Sequence, residues 1–182
     1  MNPQKLKRIS KRLSYVLRHR PDSVQLTLGD AGWVDVDELL AALGRNGTTL
    51  TWEVLRRVVA TNDKQRFEFS EDRTRIRARQ GHSAAVDLGY QAAVPPETLF
   101  HGTATKNLES IRQQGLIKGQ RHHVHLSTNK ETMLDVARRH GRPVLLTVRA
   151  GQMQADGYDF FVTGNHVWLT DHVPPGYILF PA

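Results

Sequence analysis

The sequence predicts an α+β protein made of two unlike halves, and three observations carry that expectation. Residues 4–19 set Leu6, Ile9, Leu13, Val16 and Leu17 at spacings of three and four, which puts them on one face of a helix. Residues 67–79 alternate apolar or small side chains with charged ones, the period of a strand pair. Beyond residue 96 two helical patterns come first and strand-like runs follow, so helices and strands segregate along the chain.

Each element has a local reason. Pro21 stops the first helix, because proline cannot continue the hydrogen-bond ladder. Residues 36–43 predict a second helix, with Asp35 as N-cap, Glu38 as capping-box partner and Gly44 as the stop. Thr51 can cap a third, in which Trp52, Leu55, Val58 and Val59 face inward. A hairpin comes next: Phe67 and Phe69 alternate with Glu68 and Ser70, and Glu71-Asp72 turns the chain. On the return strand Arg73, Arg75, Arg77 and Arg79 share one face, and Thr74, Ile76 and Ala78 the other. Three helices and a basic hairpin look like a winged helix, a common nucleic-acid-binding module. In the second half strands are expected at 98–101, 123–127, 144–149, 160–163, 166–170 and 178–180. Helices are expected at 105–114, ended by Gly115, and at 130–140, ended by Gly141.

The length, 182 residues, allows one domain or two small ones. With 39% hydrophobic and 24% charged residues the chain reads as soluble and globular. No apolar run approaches the roughly 18–20 residues that span a bilayer, and the N-terminus lacks an apolar signal core. A cytoplasmic protein without a membrane partner is therefore expected, with a monomer as the default. The absence of cysteine excludes disulfides, thiolate metal sites and a cysteine nucleophile. The net charge of +7 points to a polyanionic partner. Residues 1–90 hold 16 Lys+Arg against 11 Asp+Glu, and residues 91–182 hold 9 against 7. Histidine goes the other way, two against seven. The junction is expected within residues 81–96, which are poor in charge and end in the stiff pair Pro95-Pro96. Domains of 1–90 and 91–182 follow.

Four segments carry candidate chemistry. Arg18-His19-Arg20 ends the first helix, where cations offset the helix dipole; equally, Arg offers a planar fork to phosphate and His moves a proton near neutral pH. Arg66 opens the hairpin, and with the Arg73–Arg79 stripe it is either solvated charge or a track for a phosphate backbone. Arg121-His122-His123-Val124-His125 invites a zinc reading. No His-Glu-x-x-His helix and no cysteine completes a ligand set, so no metal is expected, and phosphate or ribose recognition fits better. In Phe100-His101-Gly102-Thr103 a strand enters a helix; Gly lets a ligand approach the backbone and His can donate to a ribose hydroxyl. There is no G-x-G-x-x-G and no P-loop.

Together these segments resemble the RNA 2′-phosphotransferase family, the KptA-like proteins that act on tRNA. The matching pieces begin with Ser10-Lys11-Arg12-Leu13-Ser14-Tyr15-Val16-Leu17-Arg18-His19 and Gly32-Trp33-Val34. They continue with Lys64-Gln65-Arg66-Phe67, Ile76-Arg77-Ala78-Arg79-Gln80-Gly81-His82-Ser83 and Leu99-Phe100-His101-Gly102-Thr103. Arg121-His122-His123-Val124-His125-Leu126-Ser127 and Val167-Trp168-Leu169-Thr170 complete them. They fall in the family's order over nearly the full length. One departure is His166, where a small residue, often Gly, is expected before the Val.

The resemblance implies an N-terminal winged-helix lobe and a C-terminal lobe with an ADP-ribosyltransferase fold. It implies removal of an internal RNA 2′-phosphate at the expense of NAD⁺. The phosphate attacks the anomeric carbon of the nicotinamide ribose and expels nicotinamide; the ribose 2″-hydroxyl then attacks phosphorus. The products are RNA with a 2′-hydroxyl and ADP-ribose 1″,2″-cyclic phosphate. By that resemblance Arg18, His19, Arg66 and Arg121 hold the phosphate, in a cleft between lobes. His101, Gly102 and Thr103 bind the nicotinamide ribose end, Ser127 and Thr128 line the same pocket, and Asn107, Gly115 and Leu116 flank the adenosine side. Many ADP-ribosyltransferases carry a Glu late in the sheet; here the matching position is Val167, which avoids like-charge repulsion with the incoming phosphate. Two alternatives remain. An ADP-ribosyltransferase of nucleic-acid or phosphate termini would leave a stable adduct. A non-enzymatic winged-helix regulator would bind duplex DNA and release no nicotinamide.

Overall fold

The computed structural model describes residues 2–181, which form two compact units, one running to Gly89 and one from Tyr90. The architecture is mixed, with short helices and small antiparallel sheets, as expected of an α+β chain.

The first unit opens with α1 (Pro3–Arg18). Asn2 caps it by accepting from the Gln4 N–H at 2.9 Å, and Pro3 takes the first turn, where no N–H is needed. The helix buries Ile9, Leu13, Val16 and Leu17, each contributing about 1.5–3 kcal/mol of burial. Strand β1 (Val34–Asp35) leads into α2 (Val36–Arg45), whose N–H at Glu38 donates to the Asp35 carboxylate at 3.0 Å. Gly44 does not stop α2, as the sequence suggests, but lies inside it. Burial of Leu39, Ala42 and Leu43 outweighs the roughly 1 kcal/mol that an interior glycine costs. Thr51 caps α3 (Trp52–Ala60), with Leu55 and Val58 fully inward and Trp52 and Val59 only partly so.

Strands β2 (Phe67–Phe69) and β3 (Arg75–Ala78) form the hairpin, and β1 adds to its far edge, giving the order β1-β3-β2. Val34, Phe67, Ile76 and Ala78 turn to the helices and join one core with α1, α2 and α3. The four-arginine stripe is not one open track. Arg73 sits in the turn with φ 60°. Arg77 and Arg79 both close on Glu68, at 2.6 and 3.0 Å, and Arg77 also lies over the Trp33 ring at 4.5 Å. The expected linker is likewise only half a linker. Ser83 and Ala84 donate their N–H groups to the Arg18 carbonyl at 2.8 and 2.9 Å, while His82 and Leu88 are buried. Small and polar residues read as a connection in sequence, but here they satisfy the carbonyl end of α1.

The second unit is organised by β4 (Leu99–Ala104), α4 (Leu108–Gln114) behind a turn of 3₁₀ helix (Thr105–Asn107), β5 (Leu116–Ile117), β6 (Val124–Leu126) and α5 (Lys130–Ala137). After these come β7 (Pro143–Val148), α6 (Ala150–Ala155), β8 (Phe161–Val162), β9 (Trp168–Thr170), β10 (His172–Val173) and β11 (Ile178–Leu179). One sheet runs β11-β7-β4 and a second β6-β9-β8. Phe100 and Ser127 exchange backbone hydrogen bonds of 2.8 and 3.0 Å between them, and β10 pairs with β5 apart. Leu99, Leu126, Leu146, Met153 and Phe160 fill the core. Helix α6 interrupts the expected run of late strands; with six residues and only Ala150 and Met153 buried, it shows no helical period in sequence. Helix α5 ends at Ala137, three residues early. Among the described residues no helix is long and apolar enough to cross a membrane.

Candidate active-site residues

In the first unit the fold brings Arg66 back to the adjacent pair Arg18-His19, although Arg18 and Arg66 are 48 residues apart in sequence. Arg18 is the last residue of α1, and its Nη2 lies 3.5 Å from the Arg66 carbonyl oxygen, which also accepts from the Arg79 N–H at 2.9 Å. Arg66 follows a left-handed residue, Gln65 with φ 41°, which turns the chain out of the loop after α3. Asn62 fixes Arg66 twice: its Oδ1 accepts from the Arg66 backbone N–H at 3.1 Å and from Nη1 at 3.4 Å, and its Nδ2 donates to Ser10 Oγ on α1 at 2.8 Å. His19 caps α1, and its Nδ1 is 2.9 Å from Ser83 Oγ. Arg20 is separate: it forks onto Asp22, at 2.8 Å for the shortest contact. The sequence reading missed Asn62 and Ser83. Ser83 closes the motif of residues 76–83, but Asn62, in a bland Thr61-Asn62-Asp63 stretch, carries no local signal.

In the second unit Phe100-His101-Gly102-Thr103 lies wholly within β4 and does not lead into a helix. His101 Nδ1 is 3.0 Å from the His125 carbonyl oxygen. A carbonyl only accepts, so Nδ1 carries the proton, and burial pushes the ring's pKa down and keeps it neutral. Nε2 then holds a lone pair, and the ring can accept from a hydroxyl; it does not donate, as the sequence suggests. Gly102 also has another explanation. A Cβ there would lie 1.8 Å from the Met133 carbonyl oxygen and 3.3 Å from Ala137 Cβ, so the glycine lets α5 press against β4. Thr103 is buried, and its hydroxyl accepts from the Asn107 amide at 3.2 Å.

Gly115 ends α4 with φ 76° and packs under the Val173 carbonyl, 2.0 Å from where a Cβ would sit. The Leu116 side chain is buried in the core, so only its backbone can meet a ligand. Arg121 is exposed, with Nη1 3.4 Å from His125 Nδ1. Two of the three neighbouring histidines have separate partners: His123 packs against Phe161 and Tyr90, with centroids 5.6 and 6.0 Å away, while His125 serves Arg121 and, through its carbonyl, His101. Ser127 Oγ accepts from the Asn129 N–H at 3.0 Å, Thr128 is exposed, and Asn129 caps α5. His166 adopts φ 61° in a turn closed by Thr163, which explains why glycine suits that position. Val167 follows, half-buried, just before β9.

Known proteins are similar to this sequence across both units. The family model for "RNA 2'-phosphotransferase, Tpt1 / KptA family" matches residues 4–172. A protein of Agrobacterium fabrum is 55% identical over 173 residues, 95% of this chain and 93% of its own. One of Flavobacterium johnsoniae is 51% identical over 182 residues, all of both chains, and one of Acaryochloris marina is 49% identical over 97% of each. All three bear the name "Probable RNA 2'-phosphotransferase". A match of this extent and identity makes the chain a member of the RNA 2′-phosphotransferase family.

Proposed function

We propose that the chain is an NAD⁺-dependent RNA 2′-phosphotransferase that works through an ADP-ribosylated RNA intermediate. The observation that carries this reading is the meeting of Arg66 with the Arg18-His19 end of α1, where Asn62, anchored to Ser10 of α1, orients Arg66. Guanidinium forks suit the three oxygens of a terminal phosphate. The 2′-phosphate dianion is already a nucleophile, so the first step needs no general base. Arg18 and Arg66 would orient it, and Arg121 would stabilise charge growing at phosphorus.

NAD⁺ enters as the second substrate. A neutral His101 with Nε2 open to a hydroxyl donor, together with the Thr103 hydroxyl, fits the ribose next to nicotinamide. Gly102 would contribute backbone only. Ser127 and Thr128 would line the same pocket, with Asn107, Gly115 and the Leu116 backbone toward adenosine. In the second step the departing RNA 2′-oxygen needs a proton, and imidazolium at His19 would supply it, a contribution typically of about 10²–10⁴-fold. The order α1-β1-α2-α3-β2-β3 with sheet β1-β3-β2 supports a winged-helix reading of the first unit. The second unit would be an ADP-ribosyltransferase-like lobe, and the natural substrate a tRNA-like RNA in the cytoplasm.

Incubation with NAD⁺ and a 2′-phosphorylated oligonucleotide tests the reading. Nicotinamide and ADP-ribose 1″,2″-cyclic phosphate should appear together; nicotinamide with no phosphate loss would overturn it in favour of a terminus-modifying ADP-ribosyltransferase. A His19→Ala enzyme should accumulate ADP-ribosylated RNA. If it loses the first step and spares the second, His19 binds phosphate and donates no proton.

A further inference from the structure

At the turn end of the hairpin, well away from Arg66, a shallow cleft of about 210 Å³ is lined by Trp52, Glu53, Arg56 and Arg73. We infer that this cleft is a subsite for one nucleotide of single-stranded RNA flanking the reacting one, with the base on Trp52 and its phosphate between Arg56 and Arg73. The inference rests on the reading of the chain as an RNA-modifying enzyme and adds a place where the RNA is held.

Three features support it. The Trp52 indole is only partly covered: it rests on Phe69 with centroids 5.0 Å apart, and the Arg56 guanidinium lies 5.9 Å from its centroid. Aromatic rings and guanidinium planes are the surfaces on which unpaired bases stack, whatever their sequence. Second, Arg73 is held at φ 60°, a conformation that glycine adopts without strain and arginine does not. The turn that holds it is rigid: the Ser70 carbonyl accepts from the Arg73 N–H at 2.9 Å, and the Asp72 carboxylate accepts from Ser70 and from both donors of Thr74. A long cation is thus kept where the backbone would favour glycine, and it faces the same cleft as Trp52. Third, the one acid there is engaged. Glu53 is held ionised by its own backbone N–H, the Thr51 hydroxyl and the Arg56 guanidinium, and two guanidiniums against this one carboxylate leave the cleft net positive. Four residues of extended chain separate Arg66 from Ser70, roughly 13 Å, so the cleft takes a neighbouring nucleotide.

The test is binding of labelled single-stranded RNA, a 12-mer against a 2′-phosphorylated mononucleotide, by fluorescence anisotropy over a range of salt. Arg73→Gly removes the cation and relaxes the turn, so folding is not at risk. It should lower the slope of log K against log salt for the 12-mer by roughly 0.7, one phosphate contact. Trp52→Ala should weaken the 12-mer about tenfold, within the range of one stacked base. Mononucleotide binding should not change with either. Unchanged 12-mer binding in both variants overturns the inference, as do equal losses on both lengths. Duplex DNA that displaces the 12-mer from the wild type more readily than RNA does would also overturn it, and would mark this face as a duplex reader. Failure of the enzymatic reading shows separately, as no phosphate released by the wild type.

Discussion

Replacing Gly102 by Ala separates two explanations of one residue. If the glycine exists to admit a ligand, the added methyl should leave stability alone and raise the KM for NAD⁺. The structure argues otherwise. The new Cβ would start 1.8 Å from the Met133 carbonyl oxygen and 2.6 Å from its carbon, whereas real Cβ contacts do not fall under 3.0 Å. Strand β4 and helix α5 must therefore separate by more than an ångström, and both clashing atoms belong to a helix backbone that no rotamer change can move. Overpacking of this kind costs typically 1–3 kcal/mol, occasionally more, and a backbone clash belongs at or above the upper end, about 3 kcal/mol. For a unit of this size that corresponds to a fall in Tm of roughly 12–24 °C. Thermal unfolding followed by circular dichroism, with amide exchange read on β4 and β7, measures it. Gly102→Ala within about 0.5 kcal/mol of wild type, together with a raised KM, would refute the packing argument and restore the ligand argument.

Two further outcomes follow from the second unit. His166→Gly should be neutral or should stabilise by about 0.5–1 kcal/mol, because φ 61° strains any residue with a Cβ; a loss above about 1 kcal/mol in urea unfolding would mean that the imidazole itself holds the turn. His101 should make stability depend on pH. Burial lowers its folded pKa below the usual value of 6.5, so its contribution is complete above that pH. It is lost as pH falls through 6.5 toward the lowered folded value, since the unfolded chain takes the proton first. Urea midpoints between pH 7 and 5 should show this slope, and His101→Gln should flatten it. Some slope should persist from His123, which burial shifts the same way. An unchanged slope in His101→Gln would rule out a buried, neutral His101.

What was legible in the sequence was local. Asp35 and Thr51 each cap a helix through an acceptor that reaches a backbone N–H three residues on, and such contacts need only the neighbouring residues. The alternation in residues 67–78 gave the hairpin and its buried face for the same reason. Strands β5 and β10 were not legible, because two residues carry no period and their pairing joins positions over fifty residues apart. The meaning of Gly102 was hidden too, since it depends on a helix turn that arrives thirty-one residues later. The candidate site divides along the same line. Arg18, His19 and Arg66 stand in motifs that mark them, whereas what orients them does not. Arg18 donates to a backbone carbonyl, Arg66 to the Asn62 amide oxygen, and His19 pairs with the Ser83 hydroxyl. Arg77 and Arg79, marked just as plainly by charge and spacing, close on Glu68. A neutral acceptor aims a guanidinium without cancelling its charge, while a carboxylate neutralises it. Composition counts these arginines alike toward the +7. Their contacts differ in kind: neutral acceptors orient Arg18 and Arg66, and one carboxylate ties Arg77 and Arg79 into the hairpin.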